Sequence, residues 1–274
     1  MNLIRDIVLM VLGFVLSIIG ALIGATIQRR WDRRRTRRPL NQLLNFGSDD
    51  LLFVFPHRTD ESNQNPAASY LLPRTSTEDF IAINNFMTVL ANSGWERGAH
   101  VRDTTRFRAD DHKRNLVIVC SPKSNDKAAE FQDALIKKKI VAYYFEKRGD
   151  RWCILHPTDS DRPPYESPSW SQEQEYLASG VDRRDLPGKA FTDYAIITKA
   201  TNPWNPHNKV IWIAGIRGIG TWGAAECVKK RWLDIYNALP KGAKDADFSA
   251  IIKVFYDNSD IANTEVVKVI PFRN

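Results

Sequence analysis

Cysteine is scarce in this chain, and the few present do not cluster. Cys120, Cys153 and Cys227 are odd in number and far apart. That excludes a disulfide framework and fits a reducing compartment. Common reaction signatures are missing too: there is no HExxH pair, no nucleophile elbow and no pair of catalytic carboxylates. Cys120 ends an apolar run, where a nucleophile can sit, yet no arginine follows at the spacing a phosphatase needs. Cys153 and His156 have no metal-binding partners nearby in the sequence, so neither a metal nor a cofactor is expected. Internal repeats are absent, and heptads are absent outside the N-terminal apolar run.

Basic charge is less widespread than the net +7 suggests. The stretch "RRWDRRRTRR", residues 29–38, holds seven arginines and one aspartate, a net of +6. Residues 1–28 cancel, so everything after residue 38 carries only +1. The body is nearly neutral, and no nucleic-acid duplex is expected as a partner. An apolar content of 43% beside 26% charged residues marks a folded chain.

Residues 7–27, "IVLMVLGFVLSIIGALIGATI", carry no charge. At ~1.5 Å per residue such a run matches a hydrocarbon core of roughly 30 Å. The sequence therefore predicts a single transmembrane helix in residues 1–28 and a basic juxtamembrane connector at 29–50. The arginines would hold that flank inside, against anionic headgroups. The expected location is a bacterial inner membrane, single-pass, with the N-terminus outside and the C-terminal domain cytoplasmic. Gly13, Ser17 and Ala21 recur every four residues, and Gly20 and Gly24 form a GxxxG pair beside them. Such a face lets helices approach closely and predicts a homo-oligomer.

Residues 51–274 read as one α/β domain. "LLFVF", "NLVIVC", "DYAIITKA" and "VIWIAG" are short buried strands. Ser76 or Thr77 starts a helix that ends at Gly94, with Phe80, Ile83, Met87 and Leu90 on one face. A second helix, residues 126–138, turns Ala128, Phe131 and Leu135 inward. "KRGD" joins a hairpin, and residues 157–190 form a loop-rich insertion. A third helix carries Ala225, Val228, Trp232, Ile235 and Leu239 at steps of three and four. "AIIKVFY" and "EVVKVI" close the chain as antiparallel strands. The alternation predicts a Rossmann-like, mostly parallel, doubly wound sheet with antiparallel edge strands.

In such sheets ligands bind beyond the carboxyl ends of the strands. Three loops follow strands there: "PHR", "SPKSN" and "GIRGIGT". They supply Arg58; Ser121, Lys123, Ser124 and Asn125; and Gly215, Arg217, Gly218, Gly220 and Thr221. Glycine permits close backbone approach, and a helix N-terminus favours an anion. The spacing G-x-x-G-x-G-T matches neither the dinucleotide fingerprint nor the P-loop. The glycine loop is therefore either a phosphate cradle or a tight turn.

The pair "NLVIVCSPKSN" and "KVIWIAGIRGIGTWGAAE" resembles the two ligand loops of Rossmann-like nucleotide sensors. These are the CRISPR-associated Rossmann-fold (CARF) and SLOG-type domains of bacterial immunity. Arg217, Gly218, Gly220 and Thr221 stand where CARF domains carry their Thr-Gly-Gly-Thr-Lys run. The resemblance implies a membrane-anchored sensor and effector of antiphage defence. It would bind a nucleotide-type, cyclic second messenger and signal to an oligomerising helix. Two other readings stand beside it: a membrane-tethered enzyme on a nucleotide or NAD-like substrate, and a ligand-free adaptor.

Overall fold

The computed structural model describes residues 2–57, 76–95, 97–140, 142–156, 158, 162–168, 171–172, 175, 178, 191–257 and 260–272. Side chains at 2–13, 29 and 32–34 fall outside that description. The order of elements is α1 (Asn2–Leu44), β1 (Leu51–Phe55), α2 (Thr77–Ser93), β2 (Ala99–Asp103), β3 (Asn115–Val119) and α3 (Asp126–Lys137). There follow β4 (Tyr144–Arg148), β5 (Arg151–Leu155), β6 (Phe191–Thr201), β7 (Lys209–Gly215), α4 (Gly218–Ala238), β8 (Asp247–Asp257) and β9 (Asp260–Phe272).

The sheet has seven strands in the order β2-β1-β3-β7-β6-β8-β9. β2, β1, β3 and β7 run parallel, while β6, β8 and β9 add antiparallel ladders. The expected α/β class and the antiparallel edge at the chain's end are present. β6, expected as one more strand of the alternation, runs against both its neighbours. The "KRGD" hairpin forms its own two-stranded sheet, β4–β5.

Both faces of the sheet are covered. That is why β1 and β3 read as unbroken apolar runs instead of alternating ones. The end of α1, together with α2 and α4, packs on one face, over Phe53, Val117, Ile197, Ile213 and Ile252. Phe86 of α2 meets Phe53 edge-on, ring centroids 6.0 Å apart. α3 and the β4–β5 hairpin cover the other face, where Trp212 lies against Phe131 and Phe145. α3 and α4 bury the expected side chains. α2 does so only in part. Ser76 caps it and Gly94 ends it with φ +78°, but Phe80 faces solvent and Ala82, Phe86 and Val89 take the core positions. α4 bends at Arg231 (φ −129°), whose guanidinium is anchored on the Thr264 carbonyl of β9.

The expected membrane span is overturned. Among the described residues no helix is long and apolar enough to cross a membrane. The apolar run does not stand alone as a helix: α1 continues through the arginines and Pro39 to dock Leu40, Leu43 and Leu44 into the core. The inferred bacterial inner-membrane location, with its inside and outside assignment, falls with the span. The connector is helical through Leu44.

The amino edge of the sheet is fastened by asparagines. Asn115 donates to the Gly47 and Asp49 carbonyls and accepts from the Gly47 and Lys209 amides. Asn202 donates to the His112 and Arg114 carbonyls, and Asn205 and Asn208 both donate to the Lys113 carbonyl. The "NPWNPHN" turn is thereby pinned to the segments entering β1 and β3.

Candidate ligand edge and its counterpart

β3 and β7 are adjacent and parallel, with Val119 opposite Ile213. The loops after them therefore emerge side by side at the carboxyl edge. They then diverge: loop 120–125 leads into α3 on one face, and loop 216–217 into α4 on the other. This is the switch-point geometry at which open α/β sheets hold ligands. Among the sequence candidates, Ser121, Lys123, Ser124 and Asn125 thus come next to Gly215, Arg217, Gly218, Gly220 and Thr221. Arg58 lies outside the described residues, and the burial of Gly13 on α1 is likewise undescribed.

The candidates divide by what their polar atoms already do. Asn125 is fully buried and caps α3: Oδ1 accepts from the Lys127 and Ala128 amides, and Nδ2 donates to the Val119 carbonyl at 2.7 Å. Thr221 is fully buried, and its hydroxyl accepts from the Gly215 amide at 2.9 Å. Ser121 is buried, and its carbonyl accepts from the Ser124 and Asn125 amides. Lys123 and Ser124 are exposed, and Arg217 and Gly218 are half-buried. Arg217 reaches the Tyr256 hydroxyl at 3.4 Å.

The glycines of "GIRGIGTWG" serve close approach of α4 to the sheet. A Cβ on Gly215 would stand 2.3 Å from the Thr221 amide nitrogen. One on Gly220 would lie 2.4 Å from Asp193 Oδ2, and one on Gly223 would lie 2.3 Å from Val254. Only Gly218 faces a flexible neighbour, the Glu78 side chain at 3.4 Å.

A residue absent from the sequence candidates stands at the start of α4. Asp193 of β6 is fully buried and accepts from the Arg217 amide at 3.0 Å. Its carboxylate holds the anion position at this helix N-terminus, where the dipole favours negative charge. Burial pushes its pKa up to about 6, against the opposing pull of Ser167, the Arg217 and Tyr194 backbone and the Arg217 guanidinium. No local pattern marks Asp193, because its partner lies 24 positions away.

Cys120 adopts φ +85°, a left-handed conformation that non-glycine residues rarely take. Its carbonyl accepts from Trp212 Nε1 at 3.0 Å. All three cysteines are buried and outside any disulfide, and burial raises the Cys153 and Cys227 thiols, the latter to about 11. His112 packs against Phe107 and Trp204 at 4.7 and 4.5 Å, and burial lowers its pKa. Among the described residues no three His, Cys, Asp or Glu side chains gather to hold a metal ion.

The amino edge carries a second polar centre. A cleft of about 490 Å³ is lined by Asn45, Thr201, Lys209, Asp245, Asp247 and Phe272, with the 242–243 turn. Lys209 Nζ donates to Thr201 Oγ1 at 2.8 Å and Asp247 Oδ1 at 2.9 Å. Asp247 Oδ2 also accepts from Thr201 Oγ1 at 2.8 Å. Behind them Lys199 is fully buried and donates to the Asp245 carbonyl at 2.9 Å. Burial lowers its pKa to about 8; Asp247 and Asp245 oppose that shift and Lys209 adds to it. The signal for Lys199 was present in the sequence: one lysine inside the apolar run "YAIITKA" of β6. A cleft of about 390 Å³ lies alongside, lined by Leu44, Phe46, Trp95 and Arg97 among others, and shares Asn45.

This chain matches no protein-family model, no curated protein and no solved structure.

Proposed function

We propose that this chain is a ligand-sensing α/β module whose carboxyl edge takes a phosphate-bearing, nucleotide-type ligand. The observation that carries the reading is the adjacency of β3 and β7 with their helices on opposite faces. In open α/β sheets such a position, between loops like 120–125 and 216–218, is where ligands bind. Lys123 and Ser124 are the exposed polar side chains there, and Arg217 is the half-buried one. Lys123 and Arg217 would meet the phosphate charge, and Ser124 would donate a hydrogen bond. Asp193 already occupies the α4 N-terminus, so the phosphate would sit toward the α3 side of the crevice.

The same proposal gives α1 to association between copies. Ser17, Gly20, Ala21 and Gly24 are exposed on α1, and a Cβ on Gly20 or Gly24 would meet nothing within 4 Å. A second helix therefore has room for close approach. Large apolar side chains around them, among them Phe14, Leu16, Leu22 and Ile23, stand in the open. An apolar surface of that extent marks an interaction site.

The test is a thermal-shift and calorimetric panel of cyclic mono-, di- and oligonucleotides on the full chain. The expected result is saturable binding by at least one member, weakened about tenfold or more by Lys123→Ala, as loss of one charge-assisted phosphate contact implies. Silence across the panel, or binding unchanged by both Lys123→Ala and Arg217→Ala, refutes the reading.

A further inference from the structure

Helix α1 has 43 residues, yet its contacts with the body lie near its end. Arg37 lies against the Gly94 cap of α2, and Leu40, Leu43 and Leu44 enter the core. Gln42 accepts from the Tyr236 hydroxyl at 2.8 Å. Every residue from 14 to 28 is exposed. Eight large apolar side chains between Phe14 and Ile27 are 45–67% exposed. At about 100° per residue they run from Phe14 through Ile18, Leu22, Ile19 and Ile23 to Ile27, over roughly 220° of the circumference. Ser17, Ala21, Gly24 and Gln28 occupy the remaining arc, and Gly20 sits at the rim beside Ile27.

The width of that arc bears on the number of partners. A helix packed on one partner buries a stripe of about 100°, so a single neighbour leaves about half of this arc in water. Two neighbours, one on each side, cover it. Covering it removes several hundred Å² per copy from water, on the order of the ~800 Å² a side of a stable interface. Charge bears on the direction. Residues 29–38 carry a net +6 just beyond the apolar run. Parallel neighbours would hold these runs side by side at ~8–10 Å, about one Debye length. Antiparallel neighbours, with the 7–27 runs in register, set them roughly 50 Å apart. A ring in which every helix has two antiparallel neighbours needs an even number of helices, and four is the smallest such number above two.

We propose that four copies of this chain associate through α1 as an antiparallel four-helix bundle. The arc from Phe14 to Ile27 faces inward, and Ser17, Ala21, Gly24 and Gln28 face out. Gly20, at the rim, lets one neighbour approach closely. The proposal rests on the assignment of α1 to association between copies. It adds their number, their direction and the face they bury.

The experiment measures the mass of the full chain by sedimentation equilibrium, over a range of concentrations and at low and high salt. The expected mass is four times 31.3 kDa at both salts. Ile19→Lys puts a charge inside the arc and should lower the mass to one chain. Ser17→Lys, on the outer face, should leave it at four. If Ile19→Lys fails to fold, Leu22→Gln replaces it, with association weakened tenfold or more. Ile27→Cys reads the direction, because Cys120, Cys153 and Cys227 are buried and the added thiol is the exposed one. Antiparallel neighbours hold two such thiols roughly 30 Å apart, and diagonal copies about 14 Å, beyond the ~4.4–6.8 Å between Cα atoms that a disulfide needs. No disulfide between copies should therefore form. A disulfide there, or assembly that appears only at high salt, overturns the proposal. A stable dimer, or a mass lowered by Ser17→Lys and not by Ile19→Lys, also overturns it, while leaving association through α1 in place. A monomer at every concentration, or a monomer that phospholipid vesicles capture, removes association and bundle together. None of these outcomes bears on ligand binding at the carboxyl edge.

Discussion

Strand β6 carries a buried charge near each end. At the carboxyl edge Asp193 sits under the first turn of α4, and toward the amino edge Lys199 sits near its last. Both side chains point to the same face of the sheet, both are fully buried, and both are pushed toward neutrality. Their surroundings differ. Asp193 is enclosed by backbone at contact distance, with Gly220 leaving no room for a methyl group. Lys199 donates to the carbonyl of Asp245, which lines a cleft of about 490 Å³. One charge is a fixed part of a helix start. The other lies behind the wall of a cleft.

The sharpest way to break this contrast is with glycines. Gly215→Ala places a carbon against the Thr221 backbone, which cannot rotate away. It should cost about 3 kcal/mol or more in urea unfolding, as overpacking at a rigid site does. A near-neutral result would show that the carboxyl edge is as open as the amino edge.

The next effect is on pH. A carboxyl raised to about 6 from 3.8 binds more protons folded than unfolded, so its contribution falls as pH rises between those values. The total for such a shift is about 3 kcal/mol. Lys199, lowered to about 8 from 10.5, works the other way: its contribution rises with pH between those values. These two groups alone place a trough in stability between about 6 and about 8. Asp193→Asn should flatten the acid limb, and Lys199→Met the alkaline limb. Each is read by the pH dependence of the denaturation midpoint.

Lys199→Met should also stabilise the free protein at pH 7 by about 1–2 kcal/mol, as replacing a poorly paired buried charge often does. A loss of stability there would mean the ammonium is well satisfied. The smallest effect belongs to Gly242→Ala, which meets nothing. It should lie within about 0.5 kcal/mol of the parent, like other open surface changes.

The parts of the fold legible in the sequence are those fixed by local pattern. β1 and β3 are short apolar runs, and α3 and α4 repeat apolar residues at steps of three and four. β2, "AHVRD", has no such run because it is an exposed edge strand that follows the register of β1. Phe80 misled because its spacing suits a helix face, while packing onto β1 selected Phe86. The apolar letters of residues 7–27 misled for a related reason: composition does not say where a helix ends, and α1 continues through the arginines. At the carboxyl edge, strand adjacency was inferable from the alternation of elements. The pairing of Asp193 with Arg217 was not, since it depends on β6 running antiparallel beside β7. The Lys209–Thr201–Asp247 contacts likewise join three strand ends that only the folded sheet brings together.

The bend in α4 has a mechanical meaning. This helix starts at Asp193 on one edge and ends at Lys244 on the other. A straight rod would carry a push on its first turn undiminished to its last. The joint at Arg231 divides it into two levers, one of 13 residues and one of seven, with the pivot tied to β9 through Thr264. A displacement of the glycine junction would meet this joint, and its tie to the edge strand, before the last turn of the helix.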